Sequence, residues 1–319
     1  MTFCSKVLSF VCLGLFFIVC LRVYIQSPFW LHVPGILATL LNPIADFQSI
    51  QWNNLQLTRD SSSDPNIIFI VADDLGYNDL SYGNGGVATP FIDSIAKTGV
   101  RFTVAYSGHA TCAPSRAAIY TGRYPSRFGF EFTPIPMVFS WALSRPTKES
   151  MIQPVFHGGQ LGLVPSMQNM AVPTSEMMIS DIVKSLNYST IFIGKWHLGE
   201  SQGHRPQDRS YDETLAFLKG ASLYYPLDHP SVITARVGGR LDDVLLANLR
   251  NTIQFNGGQH FQPNEYMTDY LANQGRSVFN SFCAISYLIS SSLFYYLVDF
   301  LSHLKPPRLS ERTRRLLSS

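Results

Sequence analysis

The sequence predicts an α/β sandwich, a largely parallel sheet with helices covering its faces. Two observations carry this. Uninterrupted apolar runs rich in branched residues end abruptly in polar motifs, and segments with helix-capping signals separate them. A strand buried on both faces reads as a continuous apolar run, and such strands belong to covered, parallel sheets. At 319 residues the chain can bury the core of one large or two ordinary domains.

The elements follow in chain order. Asp60 to Pro65 (DSSSDP) is a polar, turn-rich linker, and the folded domain is expected to begin just after it. Asn66 to Ala72 (NIIFIVA) predicts the first buried strand, which stops at Asp73-Asp74. Thr89-Pro90 opens a short helix through Lys97, because proline suits the first turn, and Gly99 ends it. Val100 to Ala105 predicts the next strand. Cys112-Ala113-Pro114-Ser115 opens a helix running to about Thr121. Residues 130–172, rich in proline, glycine and methionine without a sustained period, predict a long irregular excursion. Thr174-Ser175-Glu176 predicts a helix through Leu186, and Thr190 to Gly194 (TIFIG) a further buried strand.

The ends of the chain differ from its middle. Lys6, the uncharged run Val7 to Leu21 and then Arg22 make residues 1–25 a signal peptide or a retained signal anchor. Residues 26–64 read as a linker with an apolar stretch, Phe29 to Leu41, interrupted by Pro34 and Gly35. Either form of the N-terminus sends the middle of the chain into the secretory route, and the sequon Asn187-Tyr188-Ser189 makes Asn187 a glycosylation candidate there. Residues 281–319 form an atypical apolar segment and a basic tail. Phe282 to Val298 holds no charge and is close to the lower length limit for a membrane span. Lys305, Arg308, Arg312, Arg314 and Arg315 follow, against Glu311. A membrane anchor with a cytosolic basic tail and a truncated or frame-shifted end both fit this pattern. Truncation is the expectation, because the span is short and interrupted by serines.

Composition narrows the functional classes. The net charge of +2 gathers in the tail, no basic stripe crosses the body, and a nucleic-acid partner is excluded. Of five cysteines only Cys112 lies in the globular middle, so neither a structural disulfide nor a zinc site is predicted there.

Three islands carry chemistry, each ending a strand or opening a helix, where open α/β sheets hold their ligands. Asp73-Asp74 places two adjacent carboxylates after an apolar run; they repel unless a cation separates them, and hard oxygens suit Ca²⁺ or Mg²⁺. An Asp-Asp pair also caps ordinary turns. Cys112 opens a helix whose free N–H groups favour an anion, and Arg116 falls one turn along. Lys195 and His197 alternate around Trp196, so in an extended segment both face one way and could bind an anion and pass a proton. On its own a Lys-x-His is more often an ordinary surface turn.

Together the three resemble the type I sulfatases. CAPSRAAIYTGRYPSR resembles the first signature of that family, with its core Cys-x-Pro-Ser-Arg; GKWHLG resembles the second, and IIFIVADDLGYNDLSYGN the N-terminal metal strand. HRPQDRSYDETLAFLKGASLYYP and FNGGQHFQPNEYMTDYL look like linking segments of an arylsulfatase-like branch. The resemblance covers residues 65–280, read as the N-terminal catalytic domain. It implies an alkaline-phosphatase-like three-layer sandwich, C-terminally incomplete, because the family's later Asp-Asn pair, histidine and lysine are not recognisable here. It also implies conversion of Cys112 to formylglycine (3-oxoalanine) by a formylglycine-generating enzyme, giving a nucleophile toward the sulfur of a sulfate ester. By position Asp73, Asp74 and the modified Cys112 would hold the metal. Arg116 would hold the modified side chain, and Lys195 and His197 would bind sulfate and assist proton transfer. Two other readings stand beside hydrolysis of sulfate esters: a catalytically silent anion-binding or membrane-displayed relative, and a phosphate or phosphonate monoester hydrolase of the same superfamily.

Overall fold

In the computed structural model of the chain, residues 40–52, 65–135, 169–226, 228–232 and 249–283 are described, with residues 37 and 165. They form a four-stranded sheet in the order β1-β2-β3-β4. The strands are β1 Ile191–Lys195, β2 Glu213–Phe217, β3 Ile253–Phe255 and β4 His260–Phe261. Four helices accompany them: α1 Pro90–Thr98, α2 Cys112–Thr121, α3 Ile179–Ser185 and α4 Met267–Cys283.

β1 and β2 run parallel, with Ile191 opposite Glu213 and Lys195 opposite Phe217. The β2–β3 and β3–β4 pairings are antiparallel. The fold is the α/β sandwich expected, and among the described residues one of its three pairings is parallel. Side chains alternate across a strand. Phe192 and Ala216 therefore face one way, into a cluster with Ala113, Ala117, Tyr120, Trp196 and Leu198. Ile193 and Leu215 face the other, toward Ile253, Phe261, Met267 and Tyr270. α2 thus covers one face and α4 the other. Each fully buried aliphatic side chain such as Leu215 or Ile253 contributes roughly 1.5–3 kcal/mol.

Two expected strands do not form. Asn66 to Ala72 carries no strand, and Ile67 and Phe69 are 60% and 55% exposed. The run lies beside β1 in the same direction, tied at its ends. The Tyr188 hydroxyl donates to the Pro65 carbonyl at 3.3 Å, and Lys195 Nζ donates to Asp73 at 2.7 Å. Val100 to Ala105 is likewise irregular, with Val100, Phe102 and Val104 exposed. An apolar run becomes a buried strand only when strands flank it and a layer covers it. Neither condition is met among the described residues, so β1 remains an edge, with burial alternating along its length.

Other boundaries move. α3 starts at Ile179 rather than near Thr174, because the Asp181 carboxylate accepts the Met178 N–H at 2.8 Å and caps the helix there. Residues 42–52, expected as linker, pack on the sheet. The Ala45 N–H donates to the His260 carbonyl at 2.9 Å, and the Ala45 carbonyl accepts the Gln262 N–H at 3.1 Å. Trp52 Nε1 donates to Gln274 at 3.1 Å, and its ring meets Phe255 edge-on. Isolated apolar residues in a polar string have no period to betray them. The N-terminal run 1–25, most of the 130–172 excursion and residues 284–319 lie outside the described residues, while α4 continues past residue 280 to Cys283. Among the described residues no helix is long and apolar enough to cross a membrane.

Candidate active site

The site begins at the start of α2. Thr111 is extended and its carbonyl accepts the Ser115 N–H at 3.1 Å, so Cys112 is the first helical residue. First-turn N–H groups have no partner four residues back, and Pro114 has none to satisfy, so the helix end presents positive polarity beside the thiol. Gly122, in the left-handed conformation, closes the helix.

Arg116 lies one turn further on and is 6% exposed. Its Nε donates to the Trp196 carbonyl at 3.0 Å and its Nη2 to the Lys195 carbonyl. The guanidinium fork therefore ties α2 to the end of β1 at two consecutive carbonyls. Trp196 is fully buried and its Nε1 donates to the His204 carbonyl at 2.8 Å, fixing the segment after β1.

The extended geometry read from Lys-x-His stops at Trp196, because His197 adopts a left-handed φ of 58°. Both side chains nevertheless reach the site. His197 Nδ1 stands 3.4 Å from Cys112 Sγ, and Lys195 Nζ pairs with Asp73. The His197 ring is buried, and its pKa falls to about 4. Burial is the main cause, followed by the positive charges of Lys195 and Arg116, while Asp73 and the Pro134 carbonyl pull the other way. The imidazole is therefore neutral near pH 7.

Asp73, Asp74, Cys112 and Arg116 line one open cleft of about 720 Å³, with Tyr106, His109 and Tyr124 among its other walls. Asp74 adopts a positive φ of 54°, at the turn that follows the apolar run. The two carboxylates suit a calcium ion in kind. In number they give part of its shell of six to eight oxygens, and no group of three His, Cys, Asp or Glu able to hold a metal occurs among the described residues. Asn187 lies elsewhere, exposed and with a left-handed φ of 62°, in the turn between α3 and β1.

The structure adds residues that the sequence reading missed. His109 stands three positions before Cys112 in the cleft wall, and proximity to the first island was signal enough to find it. Gly220 lies against the His197 ring, and a lone glycine after β2 gives no such signal. Tyr224 senses both Asp73 and Asp74; burial first, then Tyr266 and these two carboxylates, raises its pKa.

Comparison with known proteins places these features in a family. The sulfatase family model matches residues 65–264. Human arylsulfatase H is 41% identical over 166 residues, 52% of this chain and 23% of that protein. Human steryl-sulfatase is 39% identical over 142 residues, 44% of this chain and 20% of that protein. The N-acetylgalactosamine-6-O-sulfatase of Bacteroides thetaiotaomicron is 37% identical over 153 residues, 48% of this chain and 23% of that protein. The chain thus spans under a quarter of the length of these relatives. Among solved structures, Ps i-CgsB superposes with a TM-score of 0.50 at 30% identity, covering 69% of this chain and 42% of that one.

Proposed function

This chain belongs to the sulfatase family, and from that premise we propose that it hydrolyses sulfate esters with a formylglycine made from Cys112. One observation carries the reading: His197 Nδ1 approaches Cys112 Sγ to 3.4 Å, bringing a residue of each signature segment together. Formylglycine would supply a nucleophilic oxygen that no encoded side chain offers, and a divalent cation, Ca²⁺ or Mg²⁺, would polarise the sulfate.

The chain's own residues have distinct tasks in this scheme. Arg116 holds position 112 and the Lys195–Trp196 segment in register. Neutral His197 faces position 112 with Nδ1 and assists proton transfer there. Lys195 neutralises sulfate charge, and Asp73 and Asp74 contribute carboxylate oxygens to the cation. The implied partners are a sulfate ester and the formylglycine-generating enzyme, met in the secretory route, where Asn187 would be open to glycosylation. Membrane association would rest on the N-terminal run and on residues 282–298.

A second reading, a silent anion-binding relative, is favoured by the Lys195–Asp73 ion pair, which occupies a sulfate-binding cation and a metal ligand with each other. Turnover of a generic aryl sulfate separates the two. The test uses the chain co-produced with formylglycine-generating enzyme, supplied with Ca²⁺, with Cys112→Ala as control. Turnover that the control lacks supports hydrolysis. No turnover, with formylglycine at position 112 verified by mass spectrometry, supports the anion binder.

A further inference from the structure

His109 is a wall of the Cys112 cleft with no task in the scheme above, and its loop is held firmly. The Ser107 hydroxyl bonds the Ser115 hydroxyl at 2.6 Å, tying the loop to the first turn of α2. Gly108 lies so close to the helix that a Cβ there would come within 2.5 Å of Ala118 Cβ. The ring of His109 is itself tethered, since its Nδ1 accepts the Thr111 N–H at 3.1 Å. A backbone N–H only donates, so Nδ1 is the acceptor and the neutral imidazole carries its proton on Nε2. The tether thus leaves a donor available, on a clamped loop beside a helix N-terminus.

We propose that His109 is a substrate-contacting residue, donating its Nε2–H to a non-bridging sulfate oxygen of the bound ester. The proposal rests on the sulfate-ester reading of the cleft. Bonds to a charged acceptor are among the stronger hydrogen bonds, so the contact adds to the grip on sulfate. The same ring also shapes the loop, and the test has to separate the two tasks.

His109→Asn does so. An asparagine side-chain oxygen accepts the N–H two residues on in an ordinary Asx-turn, which keeps the Thr111 bond while removing the Nε2–H. The probe is inorganic sulfate, titrated calorimetrically into the full chain. The expected result is sulfate binding weakened by about 10-fold or more in the variant, with the unfolding midpoint unchanged. In the unaltered chain the His109 Nε2 resonance should shift on sulfate addition, a readout that needs no variant to fold. Equal sulfate affinity in a stable H109N, or a resonance that sulfate leaves in place, overturns the proposal while the cleft's role stands. An unaltered chain that takes up no sulfate removes the sulfate-ester reading and this assignment with it.

Discussion

The His197 imidazole rests on the α-carbon of Gly220: a Cβ at position 220 would come within 2.5 Å of Cε1 and 2.6 Å of Nε2. The glycine is required by space, since nothing larger than its hydrogen fits beneath the ring. Gly220→Ala should displace His197 from Cys112 at an overpacking cost of about 1–3 kcal/mol. Turnover, or sulfate affinity if turnover is absent, should fall by about 10-fold. In a His197→Ala background the same substitution should be nearly silent, because no ring remains to collide. A double-mutant cycle on thermal stability and sulfate binding measures this coupling, and additive effects would refute the assigned role.

Arg116→Ala leaves two carbonyls and a buried cavity at the junction of α2 and β1. The expected loss is about 2–4 kcal/mol of unfolding free energy, read from urea denaturation. Arg116→Lys should recover little of it, because one ammonium cannot reproduce a planar fork spanning the Lys195 and Trp196 carbonyls.

Burial of neutral His197 makes stability depend on pH in a defined direction. Its pKa is 6.5 unperturbed and about 4 in the fold, so the unfolded chain binds the extra proton between those values. The contribution, roughly 3 kcal/mol, is complete above about pH 6.5 and is lost as pH falls toward 4. Unfolding at about pH 7.5 and about pH 4.5 should differ by less in His197→Gln than in the parent chain. An unchanged difference would show that other groups govern the dependence.

Lys195 and Asp73 neutralise one another, so removing either should move cation and anion binding in opposite directions. Lys195→Met releases Asp73 and should strengthen Ca²⁺ binding by about 3- to 10-fold while weakening sulfate binding. Asp73→Asn should weaken Ca²⁺ binding. Terbium luminescence and calorimetry with sulfate read the two arms, and parallel changes would contradict the pairing.

What was legible in the sequence was whatever depended on local chemistry. Pro90 and Gly99 mark α1 to within a residue, and Cys112-Ala113-Pro114 marks the start of α2. The first turn of a helix and its terminator are decided by nearby groups. The candidate residues were legible for the same reason, since Cys112 opens α2, Lys195 ends β1, and Arg116 and His197 belong to the same short motifs. β2, β3 and β4 were not legible: Glu213–Phe217 opens with a charged residue, and the other two have only three and two residues. Ile67 to Ile70 shows the converse, an apolar pattern that reads as a buried strand yet lies exposed, because burial depends on distant partners. Gly220 was illegible because its need arises from a ring more than twenty positions away in sequence.

The tether of residues 66–72 has a consequence for how the native state comes apart. Its two side-chain bonds, Tyr188 to Pro65 and Lys195 to Asp73, close loops of 123 and 122 residues, and among the described residues no ladder reinforces them. Two such bonds are a small return for the lost chain freedom, while β1–β2 and α2 share a packed cluster. The stretch around Phe69 is therefore where sub-global opening starts. A protease that cuts after aromatic residues would find Phe69 there, 55% exposed, while Trp196 stays sequestered. A cut after Phe69 keeps Asp73-Asp74 and the other walls of the Cys112 cleft together on one fragment.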